Sequence, residues 1–549
     1  MALLSWLESP RADRGLRLID RDGDGVAFHS YADLADRARR SAAALRAAGV
    51  GAGDVVVIAR PTSMEFVADF FGAALLGATP SPVAPPEAFR GADRYLGHLG
   101  RILRLVDARA LSTTPEVATL VRAVVPAASC RVVTETAGYA DRFEAPAAPP
   151  RYGVIQFSSG STAAPRAVRV SLAALQHNVS AIHRRLDTGS LRTVTASWLP
   201  LHHDMGLIGQ FLVPVDAAWD FTLMPPELFL RRPERWIRCF SAGGATITAV
   251  PTFGLSHVAR RVRPAALDGL DLREWNTIIV GAERVNPAVV RDFLQLLRPF
   301  GLDPGSVMPA YGLAEASLAV TIAPRGTGTE TVVADKAALS PGRGVLGDPS
   351  GRETVELVAC GELLDEVEVR ILDEDGRPVA DGVLGEIEVA GPSLADGYVL
   401  DDGSQVEFRG RLRTGDAGFV VDGRLFVVGR TGDCVKRHGR WFFAEDAEQV
   451  AVQASGEPAL TVVLTGAVEG DETVVVALAG AAAARAAEVG RAVLRQCEDL
   501  RVLVLAVRST SILRTSSGKP RRREMWSELM GEDTKAEAVW ESWPVGARR

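Results

Sequence analysis

Hydroxyl side chains are concentrated directly after a short apolar run in the first third of the chain. Residues 154–157 have the apolar character of a buried strand, and they are followed by Ser158, Ser159, Gly160, Ser161 and Thr162. Hydroxyls and backbone N–H groups gathered around a glycine can hold a phosphate. A Walker loop would need the pattern G-K-S/T at the start of a helix, and this segment has no such lysine. Taken alone, the segment is equally compatible with a Ser- and Gly-rich surface loop.

Four further segments with charged or aromatic residues follow in a fixed order. They are residues 198–207 (WLPLHHDMGL), 311–315 (YGLAE), 413–416 (RTGD) and 513–519 (LRTSSGK). Together with the hydroxyl segment they resemble, over essentially the whole chain, the adenylate-forming superfamily of acyl-CoA synthetases, nonribosomal peptide adenylation domains and luciferases. Within that superfamily the chain is most similar to the fatty acyl-AMP ligases, whose forms W-L-P-x-x-H-D-M-G-L and Y-G-L-A-E-A are both present.

The resemblance implies an enzyme that activates a fatty or related hydrophobic carboxylic acid as acyl-AMP. Its cofactors would be ATP and Mg²⁺, and pyrophosphate would be released. The acyl group would then pass to the phosphopantetheine of a separate acyl carrier protein or of a polyketide or peptide synthase carrier domain, because no carrier domain follows within the chain. Two alternatives stay open: transfer to CoA by an acyl-CoA synthetase, and a non-catalytic protein that binds a nucleotide or an acyl-adenylate.

Three residues would carry the catalysis that the resemblance implies. A carboxylate and an α-phosphate are both anions, so positive charge is needed where negative charge builds up, and the resemblance places Lys519 there. Glu315 would bind Mg²⁺, which prefers hard oxygen ligands, and His203 would lie near the acyl carboxylate. A solvated tail lysine and a solvated helical glutamate are the alternatives. His202, His203 and Asp204 are not expected to form a metal site of their own, because adjacent histidines lack helical ligand spacing.

The remaining candidate residues would bind the nucleotide. The hydroxyl segment would hold the phosphates, Asp416 would accept hydrogen bonds from both ribose hydroxyls, and Arg430 would reach the ribose or the phosphates. Tyr311 beside Gly312 suits stacking of a flat base on a close-lying backbone, with a core tyrosine as the alternative. The adenine pocket would have two walls, formed by Gly281, Ala282 and Glu283 and by Ala310, Tyr311, Gly312, Leu313 and Ala314.

An insertion and a hinge concern the second half-reaction, in which the acyl group leaves acyl-AMP for its acceptor. Gly361 lies 46 positions after Glu315 (361 − 315). Residues 327–344 between them resemble the insertion that, in acyl-AMP ligases, keeps the two domains from the arrangement that accepts CoA, so deleting them should raise CoA use. Asp433 resembles the position about which the C-terminal domain turns, and Gly432 beside it would ease the backbone change.

The chain departs from the family pattern near the phosphates and the hinge. Ala163 and Ala167 stand where glycine is usual, Arg166 stands where lysine is common, and the lysine that more often precedes the hinge Asp is absent. A methyl group at position 163 or 167 would crowd the loop, whereas Arg166 keeps the charge. These departures concern the details of phosphate binding more than the reaction.

Apolar runs that alternate with helical patterns predict the scaffold for these residues. Strands are expected at residues 54–60, 154–157, 194–198, 221–224, 246–250 and 277–280, each followed by a helical pattern, as in mostly parallel sheets covered by helices. A helix is expected at residues 31–48, another is capped by Thr62 or Ser63, and a third starts with Asn286 and Pro287. Residues 250–254 and the helix from Gly206 would line the acyl tunnel, whereas Trp198 is expected in the core.

The pattern changes after about residue 365. Alternating apolar residues predict antiparallel hairpins at residues 366–372, 385–389 and 418–428, the last folded about Asp422 and Gly423. Strands at 460–464 and 473–478 and an Ala-rich helix from Ala481 follow. The expected fold is α/β: a large adenylation domain (residues 1–432) that binds ATP and the acyl group, with an antiparallel β subdomain, and a small mobile α+β lid (residues 433–549) that carries Lys519.

Composition excludes several classes of protein. The chain has 549 residues, 47% of them hydrophobic, which is enough for more than one domain. Its net charge of −7 offers no basic field for nucleic acid. Five widely spaced cysteines indicate reduced thiols. Because neither a membrane-length apolar run nor a signal peptide is visible, we expect a cytoplasmic protein without membrane or nucleic-acid partners.

Overall fold

The computed structural model describes residues 2–86, 91–121, 130–135, 149–158, 165–186, 189, 192–241, 243–335, 339, 344–346, 354–437, 440–497, 500–514, 518–531 and 536–542. Most of the predicted phosphate-binding segment lies outside these ranges, namely Ser159, Gly160, Ser161 and Thr162, and so does Ala163. Ser158 is the last residue of the strand that precedes them.

A 14-stranded mixed sheet forms the centre of the fold. Six neighbouring strands are parallel, in the order Val307–Gly312, Thr277–Gly281, Ile247–Pro251, Val194–Ser197, Asp220–Leu223 and Gly15–Ile19. The strand Val26–Ser30 continues the sheet in antiparallel pairing at one edge. At the other side the order is Ala319–Ile322, Thr354–Leu363, Arg424–Arg430, Arg411–Val421, Gly385–Ala390 and Glu368–Leu372, with Thr331–Asp335 also paired to Thr354–Leu363. The inner parallel strands are buried throughout, as expected where helices cover both faces.

Smaller sheets flank the central one. A parallel sheet has the order Thr79–Pro82, Val55–Ala59, Ala110–Thr113 and Arg131–Val133. An antiparallel sheet has the order Gln405–Glu407, Gly397–Val399, Arg166–Ser171 and Tyr152–Ser158. Towards the C-terminus, the hairpin Cys434–Arg437 and Arg440–Phe443 precedes a mixed sheet of Thr461–Val468, Asp471–Ala479, Arg501–Val507 and Glu537–Ser542.

Helices connect and cover these strands. The described α-helices are Ala2–Ser5, Tyr31–Ala47, Met64–Leu75, Ala92–Leu105, Pro115–Val121, Leu172–Leu186, Val213–Asp216, Pro226–Arg231, Pro233–Arg238, Thr252–Arg261, Pro287–Leu297, Ala444–Ser455, Ala486–Gln496 and Arg522–Leu529. A π-helix spans Met205–Leu212. Short 3₁₀ turns lie at Pro264–Leu267, Arg298–Phe300, Pro304–Ser306, Ala314–Ala316, Thr431–Asp433, Pro458–Leu460, Gly480–Arg485 and Ser509–Ser511.

The helix starts follow the sequence signals. Ser63 accepts a hydrogen bond from the Phe66 N–H at 3.2 Å and so caps the helix Met64–Leu75, as predicted. Ser30 and Asp33 form a capping box at the start of Tyr31–Ala47. Asn286 caps the helix Pro287–Leu297, as predicted.

Two of the predicted elements are wrong. The strand Tyr152–Ser158 is followed by a second strand, Arg166–Ser171, which pairs with it in antiparallel register, and not by a helix. Alternating valines favour a strand at this position, since they pack on a pleated surface. The Ala-rich stretch from residue 481 begins as the 3₁₀ turn Gly480–Arg485, and its α-helix starts only at Ala486. The strands predicted at 54–60, 194–198, 221–224, 246–250 and 277–280 are all present.

The antiparallel region after residue 365 is confirmed. Arg411–Val421 and Arg424–Arg430 pair about a two-residue turn. Its central residues, Asp422 and Gly423, have φ values of 50° and 73°. Positive φ at both central positions is what a tight hairpin turn requires, because its twist then matches that of the strands.

The chain after Asp433 has an apolar core of its own. One buried cluster draws only on residues from Val435 onward, and a second only on residues from Leu460 onward. The hairpin at residues 434–443 is the exception, because Trp441 and Phe443 join a cluster that contains Phe419. A separate core is what the proposed division at Asp433 requires.

The described part of the insertion at residues 327–344 packs against the central sheet. The strand Thr331–Asp335 pairs with Thr354–Leu363. Ala334 and Leu339 are buried in the same cluster as Phe419. Deleting the whole insertion would therefore uncover a core, and loss of folding would obscure any effect on CoA use.

Two further predictions concern the oxidation state of the cysteines and the presence of helices that could cross a membrane. All five cysteines are free, and burial raises the pKa of the Cys360 thiol to about 11, so this thiol is unreactive. Among the described residues, no helix has the length and apolar character to cross a membrane.

The Asn286 cap provides a test of stability. Its side-chain oxygen accepts from the N–H groups of Ala288 at 2.9 Å and Val289 at 3.4 Å. Asn286→Ala should lower the free energy of unfolding by about 1 kcal/mol, because these N–H groups lose their acceptor. The urea midpoint measures the effect, and Asn286→Ser, which keeps an acceptor, is the matched control. An alanine variant as stable as the wild type would contradict the role of the cap.

Candidate active site

Tyr311, Asp416 and Arg430 form one hydrogen-bonded group. The Tyr311 hydroxyl donates to Asp416 Oδ2 at 2.7 Å, and Arg430 Nε donates to Asp416 Oδ1 at 3.1 Å. Burial, together with the Asp416 charge, raises the pKa of Tyr311 well above its usual value, so the phenol keeps its proton. Both Asp416 oxygens thus have protein partners, and a ribose would have to share them.

Strand pairing positions this group. Asp416 lies directly opposite Arg430 in the register of their antiparallel strands, and Tyr311 lies near the end of the parallel strand Val307–Gly312. At Gly312, an added Cβ would lie 1.9 Å from the carbonyl oxygen of Leu318. The close approach that glycine permits here is therefore to the protein's own backbone. Ala310 precedes Tyr311 in the strand, and Leu313 and Ala314 lead into the turn that follows.

Glu315 sits in that turn, Ala314–Ala316. Its Oε1 accepts a hydrogen bond from the Tyr398 hydroxyl at 2.7 Å. The Arg166 guanidinium lies over the Tyr398 ring, 5.4 Å from its centroid. Burial and the Glu315 charge raise the pKa of Tyr398, so the tyrosine stays a donor. Glu315 is thereby held by a half-buried phenol, and a cation lies over the ring of that phenol.

Arg430 brings the predicted ribose, magnesium and hinge residues together. The Asp416 carboxylate raises the pKa of the Arg430 guanidinium, and Glu315 and Asp433 act in the same direction. These three carboxylates are therefore close enough to interact with one cation.

Lys519 is half-buried, and its ammonium lies near side chains from two distant segments. Burial, assisted by the charges of Lys519 and Arg521, lowers the pKa of His203 to about 4. Burial raises the pKa values of Asp204 and Glu283, and the Lys519 charge acts in the opposite direction on both. The Lys519 ammonium, the neutral His203 imidazole and the carboxyl groups of Asp204 and Glu283 thus lie close to one another.

Residues 281–283 form a turn at the carboxyl end of the strand Thr277–Gly281. Ala282 has a φ of 68°, which is uncommon for a residue with a side chain. Glu283 Oε1 accepts from the Phe253 N–H at 2.6 Å. The Phe253 ring in turn packs on Gly518, where an added Cβ would lie 2.9 Å from the ring. The segment that carries Lys519 is therefore seated on a residue that Glu283 holds in place.

Asp433 faces the helix that follows Lys519. Arg522 Nη1 lies 4.0 Å from Asp433 Oδ2 and 3.4 Å from Glu445 Oε1, while Nη2 lies 2.9 Å from Glu448 Oε2. One arginine thus connects Asp433 with the Lys519 segment. The hinge role of Asp433 stays a prediction.

Aromatic side chains surround the region predicted for the acyl tunnel. Trp198 stacks on Phe229 with ring centroids 3.9 Å apart and meets Phe253 edge-on at 6.0 Å. It is only 1% exposed, in agreement with the predicted core position. The helix predicted from Gly206 is the π-helix Met205–Leu212, a form that is frequent at functional sites. The tunnel itself stays a prediction.

Two of the departures from the family pattern lie in described structure. Ala167 is fully buried in the strand Arg166–Ser171, opposite Phe157, so its methyl group fills a core and does not crowd a loop. Arg166 begins the same strand and reaches Tyr398. Across the described ranges, no group of three or more His, Cys, Asp or Glu side chains is arranged to hold a metal ion.

A family model described as AMP-binding enzyme matches residues 16–399. This match spans well over half of the chain and includes the strands that carry Glu283 and Tyr311. The chain belongs to the AMP-binding enzyme family.

Individual proteins are similar to this AMP-binding enzyme over most of its length. A Caulobacter vibrioides protein that carries the provisional name acyl-CoA synthetase is 31% identical over 449 residues, which are 80% of this chain and 78% of the relative. The medium-chain-fatty-acid acyl-carrier-protein ligase of Teredinibacter turnerae is 31% identical over 417 residues, 70% of this chain and 64% of the relative. A structure from a study of fatty acyl-adenylate ligases of E. coli and L. pneumophila superposes with a TM-score of 0.86, at 29% identity, over 95% of this chain and 96% of the other.

Sequence reasoning on this AMP-binding enzyme missed several contributors. Tyr398, which holds Glu315, lies 83 residues away along the chain and belongs to no segment with a visible spacing signal. Phe253 falls within the predicted tunnel stretch, but its contact with the Lys519 segment depends on how distant segments pack. Arg521, whose charge also acts on His203, lies two positions after Lys519. Its adjacency to Lys519 was the one available signal.

The low pKa of His203 leads to a prediction about stability in acid. The unfolded chain binds a proton at this residue below about pH 6.5, its usual pKa, whereas the folded protein does so only near pH 4. Stability from the neutral imidazole is therefore complete above pH 6.5 and is lost as the pH falls towards 4. In urea titrations at pH 7.5 and pH 5, His203→Gln should lose less stability on acidification than the wild type. Equal losses in the two proteins would contradict the assignment.

Proposed function

We propose that this AMP-binding enzyme joins a fatty or related hydrophobic acid to the α-phosphate of ATP, releases pyrophosphate, and passes the acyl group from acyl-AMP to the thiol of a carrier protein. The observation that carries the proposal is the position of the Lys519 ammonium beside His203, Asp204 and Glu283. This is a cation delivered to a partly buried place in a fold that binds AMP. The cytoplasm, where ATP is available, is the proposed location.

The proposed reaction explains the charges of the site. A carboxylate oxygen attacks the α-phosphorus while the bond from phosphorus to pyrophosphate breaks, so negative charge gathers between two anions. Lys519 offsets this repulsion. His203, with its pKa near 4, stays neutral at pH 7. It would therefore orient the acyl carboxylate by a hydrogen bond and not act as a second cation.

The remaining residues would hold the nucleotide. We assign the ribose to Asp416 and Arg430, the adenine to the walls at residues 281–283 and 310–314, and the phosphates to residues 158–162. Mg²⁺, when bound, would offset the negative charge of the phosphates. Glu315 fits this ion because its carboxylate is a hard oxygen ligand and is held in place by Tyr398.

In the second half-reaction a thiol would attack the acyl carbonyl, and AMP would leave. We propose that the residues from Asp433 onward turn as a lid between the two half-reactions. The separate apolar core of this part supports such a division.

Lys519→Ala should lower acid-dependent pyrophosphate exchange by about 10²- to 10³-fold, as expected for the loss of one pre-placed electrostatic group, while ATP still binds. Exchange is measured over a panel of acids of increasing chain length. Lys436→Ala is the matched control, because this lysine also lies beyond Asp433 and pairs with Glu374 at 2.9 Å on the surface.

Three outcomes are distinguishable. Loss in Lys519→Ala with normal exchange in Lys436→Ala supports the role of the lysine. Wild-type exchange in Lys519→Ala removes this residue from the mechanism. A wild-type protein that binds ATP but shows no exchange with any acid is a nucleotide-binding protein without this activity, and the proposal fails.

The acceptor is the second point to test, since transfer to CoA is the competing function. The provisional name of the C. vibrioides relative favours CoA, whereas the T. turnerae relative is a carrier-protein ligase. Supplied with acyl-AMP, the enzyme should acylate a phosphopantetheine-loaded carrier protein at least about tenfold faster than CoA, a difference of about 1.4 kcal/mol in barrier. The carrier protein without phosphopantetheine is the control. Equal rates would favour an acyl-CoA synthetase.

A further inference from the structure

We propose that the ion pair between Arg284 and Asp446 is a clasp that holds the chain beyond Asp433 in the orientation that presents Lys519 to the site. The inference rests on the proposed function, because it assigns the clasp to acyl-adenylate formation and not to acyl transfer. Arg284 and Asp446 are positioning residues, since neither is placed among the groups that would touch the acid or the nucleotide.

The geometry of the pair suits this task. Arg284 Nη1 lies 2.6 Å from Asp446 Oδ1, and the side chains are only 15% and 13% exposed. Arg284 directly follows Glu283, between the strand Thr277–Gly281 and the cap of the next helix. Asp446 lies in the first turn of the helix Ala444–Ser455, where unpaired N–H groups favour a carboxylate. The pair thus joins the wall of the nucleotide pocket to the first helix beyond Asp433.

Three surface ion pairs across residue 433 are more exposed. Arg94 pairs with Glu524 and Glu528, with side chains 41%, 26% and 47% exposed, and Lys436 and Glu374 are 50% and 64% exposed. Exposed pairs contribute little, because water screens them. Arg284–Asp446 is therefore better shielded from water than these pairs across the same boundary.

Removal of the Asp446 charge should shift the balance between the closed and open orientations of the lid towards the open one. It would leave the Arg284 guanidinium largely buried without its anion, which is more costly than losing an exposed pair. Opening would return Arg284 to water, so the open orientation gains population relative to the closed one. Adenylation needs Lys519 at the site, whereas transfer from acyl-AMP does not require the clasp. The two half-reactions should therefore respond differently.

The first test separates the half-reactions. In Asp446→Asn, which keeps the shape of the side chain, acid-dependent pyrophosphate exchange should fall by about tenfold. Acyl transfer from supplied acyl-AMP to a phosphopantetheine-loaded carrier protein should stay at the wild-type rate or rise. Wild-type exchange, or an equal fall in both half-reactions, would overturn the proposal.

Two further variants exclude a general loss of stability. Glu541→Gln removes one of the two carboxylate partners of the buried Arg501: Glu541 lies 2.6 Å away, and Glu469 stays in place at 3.0 Å. All three residues lie beyond Asp433, so neither half-reaction should change. The charge swap Arg284→Asp with Asp446→Arg should recover at least half of the exchange that Asp446→Asn loses. A swap no more active than Asp446→Asn would show that the pairing is not what matters.

A measurement without substrate keeps this inference separate from the proposed function. Trypsin can cut the connecting segment after Arg430, Lys436 or Arg437, and Asp446→Asn removes none of these sites. The variant should be cut there about tenfold faster than the wild type or Glu541→Gln, because the open orientation is more populated. Equal rates would overturn the clasp. If the wild type shows no exchange with any acid, the proposed function fails, while this comparison still decides on the clasp.

Discussion

A lysine ammonium is strongly hydrated, so placing Lys519 in a half-buried position has a cost that neighbouring negative charge must offset. Asp204 and Glu283 provide this charge, and Lys519 in turn opposes the rise in pKa that burial causes in both. The three groups are mutually dependent, because each carboxylate would be harder to keep ionised without the cation. Residues more than 200 positions apart must therefore be held in register by the rest of the fold.

The parallel strands of the central sheet position those members of this group that precede Asp433 in the chain. His203 and Asp204 follow the strand Val194–Ser197, Phe253 follows Ile247–Pro251, and Glu283 follows Thr277–Gly281. These strands are neighbours in the central sheet, so their carboxyl ends, where sites of open α/β sheets lie, meet at one edge. The sheet thereby converts wide separation along the chain into proximity.

This geometry also explains what the sequence alone can predict. The strand that delivers Glu283 is recognisable because its continuous apolar run ends at a glycine, and Asn286 is a typical helix cap. Tyr398 and Arg284 have no such signal: a hairpin tyrosine and a loop arginine acquire a role only when Glu315 and Asp446 are brought to them. The strand Arg166–Ser171 was not predicted, because so short a run of alternating apolar residues does not define its own period. Local sequence patterns thus identify the strands and helices that carry the site residues. Long-range packing decides which side chains from elsewhere in the chain contact those residues.

The hairpin beyond Asp433 sets a condition on any movement of the lid. Trp441 and Phe443 are 9% and 2% exposed and pack in one cluster with Phe419 and Phe426. Exposing two such rings would cost on the order of 10 kcal/mol as an upper bound, far more than one ion pair contributes. A turn about Asp433 must therefore bring another apolar surface against these rings. Because Asp446 lies just beyond this hairpin, such a turn also has to break the Arg284–Asp446 ion pair.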